Sequence, residues 1–494
     1  MLERARRSRD PRFDGRFYIG VTSTGIYCRP ICPAAPHAQS RHTLYFATAA
    51  AAHAAGFRPC LRCRPEAAPG TSARLGTSAV VRRALRLIQD GALDESRVSQ
   101  FAARLGLGAR QLDRLFAQHV GASPLALAQT RRLHFAKGLI DGSTLPMTEV
   151  ALAAGYASLR RFNDAVLEAY GRSPRALRRL SAQEPHAGAT GEIRLVLAYR
   201  PPYDWAQVGE FLRVRAVPGL ETFDDDGYAR LIRTDQSHAV ICVRPIPGRD
   251  ALELCVRSAP PTALVPIAAA ARRMFDLAAD PRQVAADLGA DRQLRPLLRR
   301  RPGVRIPGAW DPFECAVRAV LGQQVSVAAA CTLAARLVRR LGDPVSTGNG
   351  ALTHLFPTAE RLANGDLDGL GITGVRIRAL RALARAVAQG ALDFDAGPAE
   401  VGAGLKALPG FGEWTAQYIA LRALGEPDAL PSADLVLRRM AGGSSGPLSA
   451  RQLEQRAESW RPWRGYATVH LWYTAGHSRT RRAESARRGT GVGK

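Results

Sequence analysis

Four cysteines near the beginning of the chain have the spacing of a metal site. Cys28 and Cys32 form a C-x3-C pair, and Cys60 and Cys63 form a C-x2-C pair after a long gap. Two close pairs of thiols separated by a loop can close on one tetrahedral zinc ion. The chain has only eight cysteines in 494 residues, unevenly placed, which does not fit a disulfide framework. We therefore predict one Zn²⁺ held by these four residues. The alternative is two pairs of buried thiols.

A second motif lies in the C-terminal half and indicates contact with a nucleic-acid backbone. Residues 408–412 read Leu-Pro-Gly-Phe-Gly between two helical patterns, which is typical of a helix–hairpin–helix. Gly410 and Gly412 would let backbone N–H groups approach a phosphate with no side chain in the way. Asp434 follows at the start of the next predicted helix. A carboxylate there can stabilise the oxocarbenium-like sugar that forms as a base departs, although acids at helix starts are often only N-caps.

Three aromatic residues accompany this motif in a chain with few aromatic residues. Trp414 and Tyr418 follow the hairpin, and Trp472 lies near the end of the last helical pattern. Electron-rich rings stack on a cationic alkylated base with a gain of about 1–2 kcal/mol when water is excluded. The alternative interpretation is that these rings pack in the core.

The charge of the chain favours a polyanionic partner. It has 69 basic and 43 acidic side chains, a formal net charge of +26, and most of the excess is arginine. Because arginine binds phosphate with two parallel hydrogen bonds, we expect nucleic acid as partner. A coding bias toward Arg and Ala would also raise this count. Since no signal-peptide pattern and no apolar run of about 20 residues occurs, we expect a cytoplasmic protein with no membrane partner.

An internal repeat predicts how the chain would bind DNA. The first copy covers 98–124 and the second 147–174, and each has an apolar helix, a turn glycine, a second helix and a final G-x-S-P. The turn glycines are Gly106 and Gly155. Each copy has the helix-turn-helix pattern. Two such units would place two recognition helices in successive major-groove segments. The alternative is a plain helical bundle.

The remaining sequence predicts further modules. Residues 65–76 and 181–191 are predicted linkers, and the arginine-rich tail after His477 is expected to lack fixed structure. Short apolar runs at 193–199, 228–233, 238–244 and 251–256 predict strands, followed by a helix over 266–277. Helical patterns return over 314–321, 325–341, 375–389, 414–424 and 452–460. The fold class is therefore multidomain and mainly α, with α+β modules.

These segments resemble two known families. Residues 21–32 (VTSTGIYCRPIC) and 55–65 (AGFRPCLRCRP) resemble the N-terminal domain of Ada methylation-response regulators, and the repeat resembles their AraC-type DNA-binding domain. Residues 319–328 (AVLGQQVSVA), the hairpin and 460–474 (WRPWRGYATVHLWYT) are similar to AlkA-type 3-methyladenine DNA glycosylase II. The resemblance implies an Ada-type zinc domain over 1–75, an AraC-type domain over 76–181, a small α+β (TBP-like) domain over 192–303 and a helix–hairpin–helix glycosylase domain over 304–480.

The resemblance also implies roles for individual residues. Cys28 would accept a methyl group irreversibly from a methylphosphotriester in DNA and so switch on transcription. Asp434 would be the carboxylate of a DNA-3-methyladenine glycosylase. Because Trp414 stands where lyase-competent relatives carry a lysine, that enzyme would be monofunctional. Tyr418 and Trp472, with Trp414, would line the pocket for a flipped base. Gln324 stands where some relatives place a leucine wedge.

The implied partners are promoter DNA, alkylated double-stranded DNA and RNA polymerase, for a monomer associated with the nucleoid. The chain has no Pro-Cys-His-Arg motif, so the Ada domain that repairs O6-alkylguanine has no counterpart in this sequence. Two alternatives remain open. The glycosylase half could serve only as a DNA-binding arm of a transcription regulator, or the zinc module could be purely structural.

Overall fold

The chain folds into two compact units. The computed structural model describes residues 1–35, 38–69, 79–181, 192–235, 237–347 and 350–475. The first unit contains residues 1–201, 224–272 and 277–279, and the second contains 202–223, 273–276 and the described residues from 280 onward. Within these described ranges, no helix is both long enough and apolar enough to span a membrane.

The N-terminal segment is built around a small sheet in the order β3-β1-β2-β4. Its elements are α1 (Leu2–Arg7), β1 (Tyr18–Val21), β2 (Ile26–Cys28), β3 (Thr43–Phe46), α2 (Ala49–Ala54) and β4 (Arg58–Pro59). Strands β1 and β2 are antiparallel, whereas β2 and β4 are parallel, with Tyr27 opposite Pro59. Since the ends of parallel strands meet at the same edge, Cys28 and Cys60 leave the sheet side by side.

The next segment is helical and confirms the predicted repeat. Its helices are α3 (Ala79–Gln89), α4 (Ala92–Glu95), α5 (Val98–Arg104), α6 (Ala109–His119), α7 (Pro124–Gly142), α8 (Met147–Ala153), α9 (Leu159–Tyr170) and α10 (Pro174–Ser181). Helices α5–α6 and α8–α9 are the two helix-turn-helix units, and α7 joins them. The G-x-S-P sequence ends one helix and starts the next. Gly121 follows α6 at φ +75°, Ser123 accepts a hydrogen bond from the Ala126 amide, and Pro124 begins α7.

The middle of the chain contains both strands and helices, as the sequence predicts. It contains β5 (Glu192–Ala198), α11 (Trp205–Arg213), β6 (Glu221–Asp224), β7 (Gly227–Arg233), β8 (His238–Pro245), β9 (Ala251–Arg257), α12 (Leu264–Met274), α13 (Pro281–Leu288) and α14 (Leu294–Arg300). The strands form one sheet in the order β5-β9-β8-β7-β6. The pairs β5–β9, β9–β8 and β8–β7 are antiparallel. In β5 buried and less buried residues alternate over most of the strand, whereas β7 and β9 are buried along nearly their whole length.

The C-terminal part is helical, as the return of the 3.6-residue period predicts. Its helices are α15 (Pro312–Leu321), α16 (Val327–Leu341), α17 (Ala359–Asn364), α18 (Gly374–Ala388), α19 (Pro398–Lys406), α20 (Glu413–Arg422), α21 (Leu435–Gly442), α22 (Ala450–Ala457) and α23 (464–475). Ser326 caps α16 through its hydroxyl, so this helix begins two residues later than predicted. The predicted helix over 452–460 ends at Ala457 and continues as a 3-10 turn.

Two linker predictions need comment. The first, over 65–76, begins too early because Pro65–Ala67 form a 3-10 turn in which Pro65 is buried. Its remainder from residue 70 lies outside the described residues. The second, over 181–191, begins at the last residue of α10, and residues 182–191 lie outside the described residues, as does the arginine-rich tail.

Candidate functional site

The four cysteines predicted to bind metal come together in the first unit. Their Sγ atoms all lie within 4.8 Å of one another, and all four side chains are buried. A tetrahedral zinc ion has Zn–S distances of about 2.3 Å, so sulfurs this close can share one ion. Hydrogen bonds among the four sulfurs raise the pKa of Cys28 and Cys63 and lower the pKa of Cys60, and they lower the pKa of Cys32 to about 7. A buried donor set of four converging thiols fits Zn²⁺.

Arg29 stabilises this cluster through hydrogen bonds to Cys63. Its backbone N–H donates to the Cys63 sulfur at 3.3 Å, and its guanidinium donates to the Cys63 carbonyl at 3.1 Å. The same guanidinium forms an ion pair with Asp14, whose carboxylate accepts from Arg29 Nε at 2.9 Å. Because the Arg29 guanidinium is bonded to Asp14 and to the Cys63 carbonyl, its charge stabilises the fold of this module. Nothing in the cysteine spacing indicated Asp14, which lies 15 residues away in sequence.

The cysteine module also packs on α7, the helix that joins the two helix-turn-helix units. The Tyr27 hydroxyl, next to Cys28 in sequence, lies 3.0 Å from His134 Nε2. A buried group of charges continues this contact, because Lys137 Nζ lies 2.5 Å from an Asp141 carboxylate oxygen and 3.7 Å from a Glu66 oxygen. Arg64, next to Cys63, pairs with both acids. The metal ligands are thus bonded through their chain neighbours to the DNA-binding segment.

The two predicted recognition helices present polar faces to solvent. Helix α6 exposes Arg110, Gln111, Arg114 and Gln118, and α9 exposes Arg160, Arg161 and Asn163. Asp164 on α9, an acid that would repel a DNA phosphate, is also exposed and lies 3.9 Å from Arg160. Arginine and amide side chains on an exposed helix are suited to phosphates and base edges.

Gly155, the turn glycine of the second repeat, is required for two reasons. Its φ is +85°, and a Cβ atom there would lie 2.5 Å from a carboxylate oxygen of Asp94. That carboxylate accepts hydrogen bonds from Arg131 and Arg132 on α7. The glycine therefore allows the second helix-turn-helix to approach the charged contact between α7 and Asp94 on α4.

The hairpin has the predicted form. Gly410 has φ +81°, and its Cβ would lie 2.9 Å from the Ala379 Cβ, so no other residue fits this turn. Gly412 is exposed at the start of α20, where no side chain caps the helix. The open amide N–H groups at this helix start can donate hydrogen bonds to a phosphate oxygen.

The Asp434 carboxylate accepts hydrogen bonds from three N–H donors. It caps α21, since its Oδ1 atom accepts from the Leu437 amide at 2.7 Å. The same oxygen accepts from the indole Nε1 of Trp472 at 3.1 Å, and Oδ2 accepts from Trp414 Nε1 at 3.2 Å. Asp434 is therefore an N-cap, as the alternative interpretation held, but a cap whose carboxylate is also fixed by two indoles. All three side chains are partly exposed, so the carboxylate is reachable.

The three predicted pocket aromatics lie together beside this carboxylate. Trp414 and Tyr418 are stacked, with ring centroids 5.3 Å apart and planes at 17°. Tyr418 and Trp472 are 6.3 Å apart at 50°. Sequence reasoning missed Arg422, which donates to the Tyr418 hydroxyl at 2.7 Å. Its position four residues after Tyr418 on α20 was the available signal, because residues at i and i+4 share a helix face.

Gln324 is exposed in the turn between α15 and α16, at an unusual φ of +54°. Its neighbour Gln323 fixes that turn to the hairpin by donating from Nε2 to the Gly410 carbonyl at 2.9 Å and to the Thr415 hydroxyl at 3.2 Å. A non-glycine residue in the left-handed region is strained, and such strain often marks functional turns. Gln324 thus lies in a turn that contacts the hairpin through its neighbour.

Comparison with protein families gives four matches along the chain. They are the metal binding domain of Ada over residues 2–66, a helix-turn-helix domain over 101–180, the AlkA N-terminal domain over 194–311 and the HhH-GPD superfamily of base excision DNA repair proteins over 317–463. The buried four-cysteine cluster falls within the first match, which agrees with one Zn²⁺ at that position.

Individual relatives cover either the whole chain or one half of it. A probable bifunctional transcriptional activator/DNA repair enzyme AlkA of Mycobacterium tuberculosis is 44% identical over 478 residues, which is 96% of each chain. DNA-3-methyladenine glycosylase 2 of Escherichia coli is 37% identical over 287 residues, 57% of this chain and 97% of that protein. The bifunctional transcriptional activator/DNA repair enzyme Ada of Escherichia coli is 32% identical over 194 residues, 39% of this chain and 50% of that protein.

Proposed function

The chain belongs to the family of bifunctional transcriptional activators and DNA repair enzymes of the Ada–AlkA type, and on that premise we propose which of its residues carry each activity. It combines an Ada zinc domain and a DNA-binding helix-turn-helix domain with a DNA glycosylase domain. The first activity is assigned to Cys28 and the second to Asp434.

Cys28 is the methyl acceptor in this proposal. Its sulfur attacks the methyl carbon of a DNA methylphosphotriester, and the C–O bond breaks with its electron pair left on the phosphate oxygen. The products are a thioether on Cys28 and an anionic phosphodiester, and no residue of the site reverses the step. Zn²⁺, when bound by the four cysteines, keeps their sulfurs deprotonated, which is the state that a sulfur nucleophile needs. The four cysteines are similarly buried, so the choice of Cys28 depends on its position in the Ada-like motif.

Methylation of Cys28 would also change the affinity of the cysteine module for DNA. Four thiolates around one divalent ion have a net charge of about −2, and the thioether makes it about −1. Repulsion of each nearby phosphate then falls by roughly 1 kcal/mol at about 4 Å in water. Several phosphates together would raise promoter affinity about 10–100-fold. Gel-shift titration of the methylated and the unmethylated protein tests this switch, and equal affinity of the two forms for promoter DNA would contradict it.

In the glycosylase domain, we propose that Asp434 stabilises the sugar cation as an alkylated purine such as 3-methyladenine leaves. The observation that carries this assignment is the carboxylate fixed by the Leu437 amide and two indoles beside the aromatic cluster. The flipped base would stack against Trp414, Tyr418 and Trp472. Water then adds to the sugar, since Trp414 offers no amine for a Schiff base, and the enzyme is monofunctional.

The remaining site residues hold the damaged strand. The backbone amides after Gly410 and Gly412 bind a phosphate, and Gln324 fills the gap left in the duplex by the flipped nucleotide. Release of free base from alkylated duplex DNA is the test of the whole assignment. If the chain binds such DNA but releases no base, the alternative of a DNA-binding-only glycosylase half is correct.

We also infer a monomer that acts on chromosomal DNA in the cytoplasm and contacts RNA polymerase at promoters. The inference rests on the two helix-turn-helix units lying within one chain, which removes the need for a dimer to read two groove segments. Light scattering of the pure protein gives its oligomeric state. In vitro transcription with and without prior methylation shows whether RNA polymerase responds.

A further inference from the structure

Arg422 is a buried cation behind the aromatic cluster of the glycosylase domain. Its side chain is on α20, one turn after Tyr418, and the residue is 9% exposed. Its guanidinium donates to the Tyr418 hydroxyl at 2.7 Å, to the Gly308 carbonyl at 3.0 Å and to the Pro307 carbonyl. All three acceptors are neutral oxygens. Across the part of the chain that the structure describes, no carboxylate forms an ion pair with Arg422.

A second arginine increases the positive charge on this side of the cluster. The Phe211 ring contacts two guanidiniums, with Arg215 3.8 Å and Arg422 4.5 Å from its centroid. Arg422 also lies 5.6 Å from the Tyr418 centroid. Contacts with rings and carbonyls stabilise a cation without neutralising it, and its field extends further inside a protein than in water. The Tyr418 side of the cluster therefore has a positive potential.

The hydrogen bond from Arg422 also fixes what the Tyr418 hydroxyl can offer. Its oxygen accepts from Arg422, and within the described residues its own proton has no acceptor. A hydroxyl that accepts from a cation becomes a stronger donor, because hydrogen bonds in a chain polarise one another. Tyr418 can thus donate to an acceptor atom of a base stacked in the cluster.

We propose that Arg422, acting through Tyr418, sets which damaged bases the glycosylase releases, and that it favours neutral lesions such as hypoxanthine. This rests on the proposed function, with Tyr418 in the base pocket and Asp434 facing the sugar. Arg422 is a positioning residue, since Tyr418 is the group that would touch the base.

The preference for neutral lesions follows from the charge that the base has after the C1′–N bond breaks. When a neutral base leaves, the C1′–N bond breaks and its electron pair makes the base anionic, so the Tyr418 donor and the Arg422 charge stabilise it. When an alkylated purine cation leaves, the same pair makes the base neutral, and neither group gains. In the net reaction one water is consumed, with its hydroxyl on C1′, while a neutral base also takes up the remaining proton.

Single-turnover release of hypoxanthine and of 7-methylguanine from matched duplexes tests this proposal. In Tyr418→Phe and Arg422→Met, we expect the ratio of the hypoxanthine rate to the 7-methylguanine rate to fall about 10-fold or more. Arg422→Lys keeps the charge and should retain part of the ratio. Arg213→Met is the matched control, because Arg213 lies over the Phe223 ring at 5.0 Å and should leave the ratio unchanged.

The outcomes separate this inference from the function on which it rests. An equal loss on both bases in Tyr418→Phe would mean that Arg422 only supports the fold, and the inference would be wrong. Wild-type protein that releases 7-methylguanine but not hypoxanthine would also overturn it and leave the assignment of Asp434 standing. Wild-type protein that releases neither base would overturn both. Tyr418→Phe keeps its ring, so the test holds even if Arg422→Met fails to fold.

Discussion

The substitution Asp434→Asn examines the glycosylase site with the smallest change of shape. The wild-type carboxylate accepts from three N–H donors, at 2.7 Å from Leu437, 3.1 Å from Trp472 and 3.2 Å from Trp414. Asparagine keeps one acceptor oxygen and places an NH₂ group where the second oxygen was. Asparagine is as good an N-cap as aspartate, so α21 should still begin at the same residue. One indole N–H loses its acceptor, at a cost of about 1–3 kcal/mol of stability.

The expected loss of catalysis is larger than this loss of stability. A carboxylate about 4 Å from a sugar cation, at an effective dielectric constant of about 20, stabilises it by about 4 kcal/mol. Removing that charge should slow base release about 10³-fold. Single-turnover release of 7-methylguanine measures the rate, and binding to duplex DNA with an abasic site should remain. A release rate within about 10-fold of wild type would refute the role of Asp434.

The chain offers a matched control for this variant. Asp291 accepts from the Trp460 indole at 2.8 Å and from the backbone amides of Gln293 and Leu294, much as Asp434 does. Asp291→Asn should therefore lose a similar amount of stability without changing the release rate. If both variants lose activity equally, the effect of Asp434→Asn comes from folding and not from its charge.

Three further predictions concern other parts of the molecule. Chelation of the metal should abolish methyl transfer but leave 7-methylguanine release unchanged, because the cysteine cluster and the glycosylase aromatics belong to different units; parallel loss of both would contradict this. Lys137→Met should lower the free energy of unfolding of the first unit by roughly 3 kcal/mol, because it removes a cation from the buried carboxylates of Glu66 and Asp141; urea unfolding followed by circular dichroism measures the change, and a difference below about 1 kcal/mol would be inconsistent with it. Burial lowers the pKa of His470 from 6.5 to about 4, so the unfolded chain binds a proton first as pH falls below 6.5, and stability should drop by about 2 kcal/mol from pH 7 to pH 5; tryptophan fluorescence reports the second unit, which holds all six tryptophans, and His470→Phe should lose this slope.

Local patterns were enough for most helices and for the ligands of the metal. The turn glycines, the G-x-S-P sequences and the hairpin specify backbone conformations that few other residues adopt, so their positions could be read directly. Helix α2 (Ala49–Ala54) was not predicted, because six residues of mostly alanine carry no periodic signal.

Contacts between distant residues could not be predicted in the same way. Trp472 donates to Asp434 across 38 residues, and only the fold brings its indole to the carboxylate. The parallel pairing of β2 with β4 also joins strands about 30 residues apart, with no turn sequence to mark it. Arg422 lies between these cases, because its spacing from Tyr418 was visible but its neutral partners Pro307 and Gly308 were not.

Methyl transfer to Cys28 is the decisive reaction for the proposal that one chain both senses and repairs alkylation. The protein is incubated with duplex DNA that contains a methylphosphotriester and is then digested. Mass spectrometry measures the masses of the peptides that contain cysteine. We expect the mass of one methyl group on the peptide of Cys28 and none on those of Cys32, Cys60 and Cys63. A methyl group on another cysteine would contradict the assignment to Cys28. No methyl group on any of the four would contradict the proposal and leave the zinc module a purely structural one.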